Sequence, residues 1–229
     1  MRCGPDLAMG HRRIAKFPDL PPSARITVPL PSPVPVTPPP SPQMEPLTRA
    51  QLLVAMGVTA VVLLVIAKAW LYFEPTKRLP LTISWRDAGL GVALGVGITL
   101  ASGAMYELWG HYRQSADDYL AIVLKPLHWP DLLWLGLLPG LSEELLFRGV
   151  MLPAIGLNGL GILVSGASFG VLHLSSLQQW PYVVWATVIG LLLAISAVAT
   201  GNLLVPIVAH VVTNLASSVV WKLRQTKPT

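Results

Sequence analysis

The stretch from Leu132 to Leu152, LLWLGLLPGLSEELLFRGVML, is 21 residues long and apolar except for Ser142, Glu143, Glu144 and Arg148. About 20 mostly apolar residues are what a helix needs to cross about 30 Å of hydrocarbon, so its length predicts a membrane span. Its charges are then costly, and side chains that costly mark a functional site by default. Working outward, five more runs of similar character flank it: roughly Leu52 to Tyr72, Ala88 to Trp109, Leu157 to Leu174, Tyr182 to Thr200 and Leu203 to Trp221. The expected fold is therefore all-α and polytopic, with about six transmembrane helices. Composition agrees, because 53% of the 229 residues are hydrophobic and only 12% are charged, half the charge of an ordinary soluble domain.

Residues 1–46 are of a different material. Pro5, Pro18, Pro21, Pro22 and the run through Pro38, Pro39, Pro40 and Pro42 oppose helix, and the segment offers too little apolar surface for a core, so a disordered, Pro-rich tail is expected. No apolar core of seven or more residues precedes the prolines, and a signal peptide is not expected. The remaining organisation follows from the runs: two accessory helices within 47–125, a four-helix core at 126–222 and a short tail at 223–229.

The net charge of +5 sits in the tails and loops without a stripe along one face, which speaks for a membrane surface and against nucleic acid. Arg12, Arg13, Lys16, Arg25 and Arg49 precede the first helix, and Lys222, Arg224 and Lys227 follow the last. With an even helix count this puts both termini in the cytoplasm, although Lys77, Arg78 and Arg86 between the first two helices count against it. Lys68, near the end of the first run, is expected to snorkel to the headgroups. Trp70, Tyr72, Trp85, Trp109, Trp129, Trp180, Tyr182 and Trp221 fall near run ends, as an interfacial aromatic belt does. One cysteine, Cys3, permits neither a disulfide framework nor a cysteine-rich metal site.

From Pro126 to Trp221 the charged residues are Asp131, Glu143, Glu144 and Arg148, joined by His128, His173 and His210. Asp131 and His128 are assigned to a loop. Glu144 and Arg148 stand at i and i+4, acid first, and should pair. Glu143 points about 100° away, with no cation four residues on, which makes it the better general base. Phe169 with His173, and His210 with Asn214, form two further i, i+4 pairs on separate helices. Pro139 and Gly140 are expected to break the third helix and admit water. Gly166 to Gly170 fits a G-x-S-x-G pattern, but inside an apolar helix it signals close packing instead of a nucleophile. Gly89, Gly91, Gly95, Gly97 and Gly103 suggest packing too, and Glu107 with His111 is expected to be a surface pair.

The order Ser142-Glu143-Glu144-Leu145-Leu146-Phe147-Arg148-Gly149, then Phe169-x-x-x-His173, then His210-x-x-x-Asn214 resembles the three motifs of the CAAX protease and bacteriocin-processing (Abi) family of intramembrane proteases, which includes the type II CAAX prenyl endopeptidases. The resemblance covers about residues 130–216. It implies an endopeptidase acting on membrane-associated proteins or peptides, in which Glu143 activates water with help from His173, His210 and Asn214 stabilise the oxyanion, and Glu144 and Arg148 complete the first motif. Relatives have been described as metalloproteases, and Glu143, His173 and His210 would be the ligands of a zinc ion if one were used, but no HExxH helix is present. The residues alone also admit a transporter, a proton relay or a non-catalytic membrane-binding protein.

Overall fold

The computed structural model of the chain describes residues 47–75 and 78–225. The Pro-rich tail, Lys77 and residues 226–229 lie outside the described residues. Among the described residues eight α-helices follow one another: α1 (Arg49–Phe73), α2 (Trp85–Leu108), α3 (Gly110–Leu124), α4 (Leu132–Leu146), α5 (Leu152–Ile155), α6 (Gly159–Leu172), α7 (Trp180–Thr200) and α8 (Leu204–Gln225). Among the described residues there is no strand.

By length and composition, α1, α2, α7 with the turn before it, and α8 can cross a membrane. The two other apolar runs are helical as well. The quoted stretch continues from α4 through a π-helical segment, Phe147–Met151, into α5, and α6 is a shorter apolar helix of 14 residues. Exposed Val54, Val58, Val61 and Val65 on α1 present the surface expected toward lipid. The chain is an integral, all-helical membrane protein.

The apolar runs assign no element to the region after Trp109, but it is not irregular: Gly110–Leu124 is α3, whose buried Tyr112, Ser115, Ala116 and Leu124 alternate with exposed His111, Arg113, Gln114 and Asp118. Its polar half hides it from a search for long apolar runs. Pro139 and Gly140, expected to break their helix, do not, since α4 runs through both. Gly140 instead lets α8 approach, because a Cβ there would lie 2.6 Å from Val211 Cγ2. The irregularity falls eight residues later, at the π segment. A π-turn inserts one residue into the helix and is often found at functional sites.

Small residues set the other approaches. A Cβ at Gly166 would lie 2.9 Å from the backbone N of Leu191, and one at Gly170 would collide with Thr187, so α6 and α7 pack backbone to backbone as the small-residue reading expected. Gly91 and Gly95 do the same for α2 against α8, whereas Gly89, Gly97 and Gly103 face open space. Gly201, at φ 64°, ends α7 in the left-handed conformation that glycine adopts without strain. The chain then turns into α8, pinned by Asn202, which donates to Asp87 and to the Thr82 carbonyl.

Loop residues at the other end are also fixed. Asp131 is only 4% exposed, in a single 3-10 turn, and takes two 2.7 Å hydrogen bonds from Arg49 and one from the His128 backbone N–H. These hold its carboxyl well below the usual carboxylate range.

Candidate active site

The π segment lies in the main apolar core, where Phe147 and Val150 pack with Leu146, Phe169, Leu193 and Ala209. Arg148, in its middle, is fully buried. The predicted i, i+4 pair forms there: Arg148 Nη1 donates to Glu144 Oε1 at 2.9 Å. Its Nη2 donates to the Gly190 carbonyl of α7 at 2.7 Å, and the guanidinium lies 4.6 Å from the centre of the Phe169 ring. A buried cation needs such partners, because leaving one of its ion-pair members alone costs about 3–5 kcal/mol. Ser165, also fully buried, donates to the Phe147 carbonyl at 3.0 Å, tying α6 to the irregular turn.

Glu144 has a second partner that spacing could not reveal. His210 Nδ1, 66 positions along the chain, lies 2.8 Å from the same Oε1. A carboxylate only accepts, so Nδ1 carries the hydrogen and Nε2 is left for other work. His173 has the same tautomer for a different reason. It caps the end of α6 rather than lying inside it, and its Nδ1 donates to the Phe169 carbonyl at 2.9 Å. In the neutral ring its Nε2 is a bare acceptor.

Glu143 is 7% exposed, and its Oε2 has no hydrogen-bond partner among the described residues. Its carboxylate acts on Tyr119 of α3, whose phenol is pushed up to about 12, first by burial and then by that charge. Tyr119 stacks on Tyr182 at 4.4 Å, and each of these rings lies 6.2 Å from His173. Phe169 stands between the two histidines, 4.8 Å from the His173 ring and 5.4 Å from that of His210.

His173, His210, Asn214, Phe169, Tyr119 and Tyr182 line one cavity of about 200 Å³. Five of the six sequence-selected residues thus meet in two adjoining clusters: Glu144, Arg148 and His210 form a buried knot, and His173 and Asn214 join His210 on the cavity wall. Glu143 is not among the residues that line the cavity, but its charge reaches Tyr119, which is. Among the described residues no three His, Cys, Asp or Glu side chains come together as ligands of one ion, and Glu144 Oε1 is engaged by Arg148 and His210. As arranged, the donor set does not fit a three-ligand zinc site.

The aromatic wall is not among the residues that the sequence singles out for chemistry: Tyr119 sits in a helix outside the six apolar runs, and Tyr182 falls to the interfacial belt; the seven-residue spacing of Tyr112 and Tyr119 is the available signal. Trp221 is buried rather than interfacial, whereas Trp85 and Tyr72 are exposed as a belt requires. Glu107 pairs at 3.7 Å with Arg224 and not with His111.

Comparison with known proteins agrees with the motif reading. Residues 125–216 match the family described as "Rce1-like: Type II CAAX prenyl endopeptidase Rce1-like". The chain is also 31% identical over 120 residues to "Uncharacterized protein YpbD" of Bacillus subtilis (strain 168), a match covering 52% of this chain and 61% of that protein. No solved structure matches. The resemblance to the CAAX protease family is borne out by the first match, over the segment that carries Glu143, His173, His210 and Asn214.

Proposed function

We propose that this chain is an intramembrane endopeptidase that hydrolyses peptide bonds of membrane-associated proteins or peptides, in CAAX-type or bacteriocin-type processing, by water activated at Glu143. One observation carries this reading: Glu144 is engaged through Oε1 by Arg148 and His210, whereas Glu143 makes no hydrogen bond or ion pair among the described residues, although each of the two carboxylates leaves its Oε2 buried and unpartnered. The first carboxylate builds the site and the second is available for proton transfer.

Water held between the Glu143 carboxylate and His173 Nε2 gives its proton to Glu143, and the resulting hydroxide attacks the scissile carbonyl carbon. Negative charge on the carbonyl oxygen is met by the Asn214 amide N–H and by His210 Nε2, which donates in its imidazolium form. Glu143 then returns its proton to the departing amine as the C–N bond breaks. Low polarity around the cavity, from Phe169 and the tyrosines, strengthens each of these interactions. Residues 126–222 supply the groups named, 47–125 complete the walls, and both termini face the cytoplasm in this reading.

The test is cleavage of a membrane-peptide library by purified chain in vesicles, followed by mass spectrometry. The parent protein should produce defined fragments, and Glu143→Gln should not. Equal cleavage by the two would remove Glu143 from the chemistry, and no cleavage by the parent would favour a transporter or proton relay.

A further inference from the structure

A second concavity, of about 390 Å³, opens between α1 and the π segment, and none of the groups in the proposed chemistry lines it. Its floor is apolar, formed by Leu64, Leu71, Leu145, Gly149, Val150 and Leu203, and two cations, Lys68 and Arg78, border it. Both cations are exposed, and neither has an ion-pair partner among the described residues. Acids of the same connection do not pair with them: among the described residues Glu74 forms no ion pair, and Asp87 accepts from Asn202 Nδ2 at 2.7 Å.

The backbone that follows Arg78 is held in place. This extended segment is hydrogen-bonded to the turn between α7 and α8, by Leu203 N–H to the Pro80 carbonyl at 2.9 Å and Thr82 N–H to Asn202 Oδ1 at 3.0 Å. Lys68 lies five residues before the end of α1, so its ammonium can rise toward the same membrane surface. Two unpaired cations bordering an apolar groove match an amphiphile with an anionic head and an acyl chain.

We propose that this groove binds an anionic membrane phospholipid, its phosphate at Lys68 and Arg78 and one acyl chain against Leu145, Gly149 and Val150. The chain then touches the outer face of the turn whose Arg148 holds Glu144, which couples lipid composition to the geometry of the buried knot. It also accounts for basic residues in the α1–α2 connection that the orientation rule leaves unexplained.

Spin-labelled phosphatidylglycerol and phosphatidylcholine, each added to vesicles of phosphatidylcholine containing the purified full chain, measure the first lipid shell directly. The parent should immobilise the phosphatidylglycerol probe about 25-fold in preference, and Lys68→Gln with Arg78→Gln should abolish the difference, since each of the two cations near the surface is worth about fivefold. The charge-keeping pair Lys68→Arg and Arg78→Lys should retain it, which separates loss of charge from loss of fold. Equal immobilisation of the two probes by the parent, or an undiminished preference in the neutral double variant, would overturn the site. A preference suppressed equally by inorganic phosphate and by phosphatidylglycerol would also overturn it, by assigning the cations to a soluble anion. None of these readings depends on peptide cleavage, so they stand apart from the protease test.

Discussion

The cavity has two unlike walls. On one side α4, α6, α7 and α8 meet through glycines, with Gly166 and Gly190 bringing two backbones together and Gly140 admitting α8. Beneath that contact lies the knot of Glu144, Arg148 and His210. On the other side α3 meets its neighbours through large side chains: Tyr112 stacks on Tyr182 at 6.4 Å, Tyr119 stacks on the same ring, and Tyr106 donates to Asp117 at 2.8 Å. No side chain caps the N-terminus of α3. Backbone contact leaves little room for adjustment, whereas stacked rings can rearrange. Under the protease reading, the difference teaches that the groups for bond breaking belong to the rigid wall and that the adjustable wall is suited to choosing what enters.

The strongest way to break this comparison is Glu143→Gln. It should reduce cleavage by at least about a hundredfold, the low end for a general base, and leave the melting temperature unchanged. An active variant would take chemistry off the rigid wall.

Arg148→Met should act next, on stability. It strands the Glu144 carboxylate in the core beside His210 and should cost about 3–5 kcal/mol, read as a lowered melting temperature in detergent. Adding Glu144→Gln should restore part of that loss, because the stranded charge is then gone; a double variant no more stable than the single one would show that the ion pair is not what matters.

Tyr119→Ala sharpens the contrast from the other wall. Under the protease reading it should raise KM severalfold while kcat is kept, the signature of binding shared equally by ground and transition states. A fall in kcat with KM unchanged would give α3 a part in the chemistry.

The smallest effect is acid sensitivity at the far end of the bundle. Arg49 and the His128 N–H depress the Asp131 pKa in the folded chain, so the contribution is full above the unfolded value of about 3.9 and is lost as pH falls toward the lower folded value. Melting temperature should therefore decline with acid in the parent and decline less in Asp131→Asn.

Much of the site was legible because helices convert spacing into facing direction. Glu144 and Arg148 pair at i and i+4 as expected, and His210 and Asn214 face one cavity from α8. His173 was legible as a residue but not as a cap, since the end of α6 depends on where α7 packs. Pro139 misled, because a proline's missing N–H is readily accommodated inside a packed bundle, while the π-turn at Phe147 has no comparable letter code. Trp85 faces outward, as a belt requires, whereas Trp221 is buried and Tyr182 stacks on Tyr119, because an aromatic residue at a run end does not by itself tell which way its helix turns it.

Composition and run length were enough by themselves to make this an all-helical membrane chain, because hydrocarbon demands long apolar helices whatever their arrangement. Local spacing likewise settled which charges share a helix face. Packing alone decided that His210 would bind Glu144, that a half-polar segment would become the aromatic wall, and that Lys68 and Arg78 would border one groove. Those are contacts between parts of the chain far apart in order, and they exist only where backbones without side chains in the way can draw close.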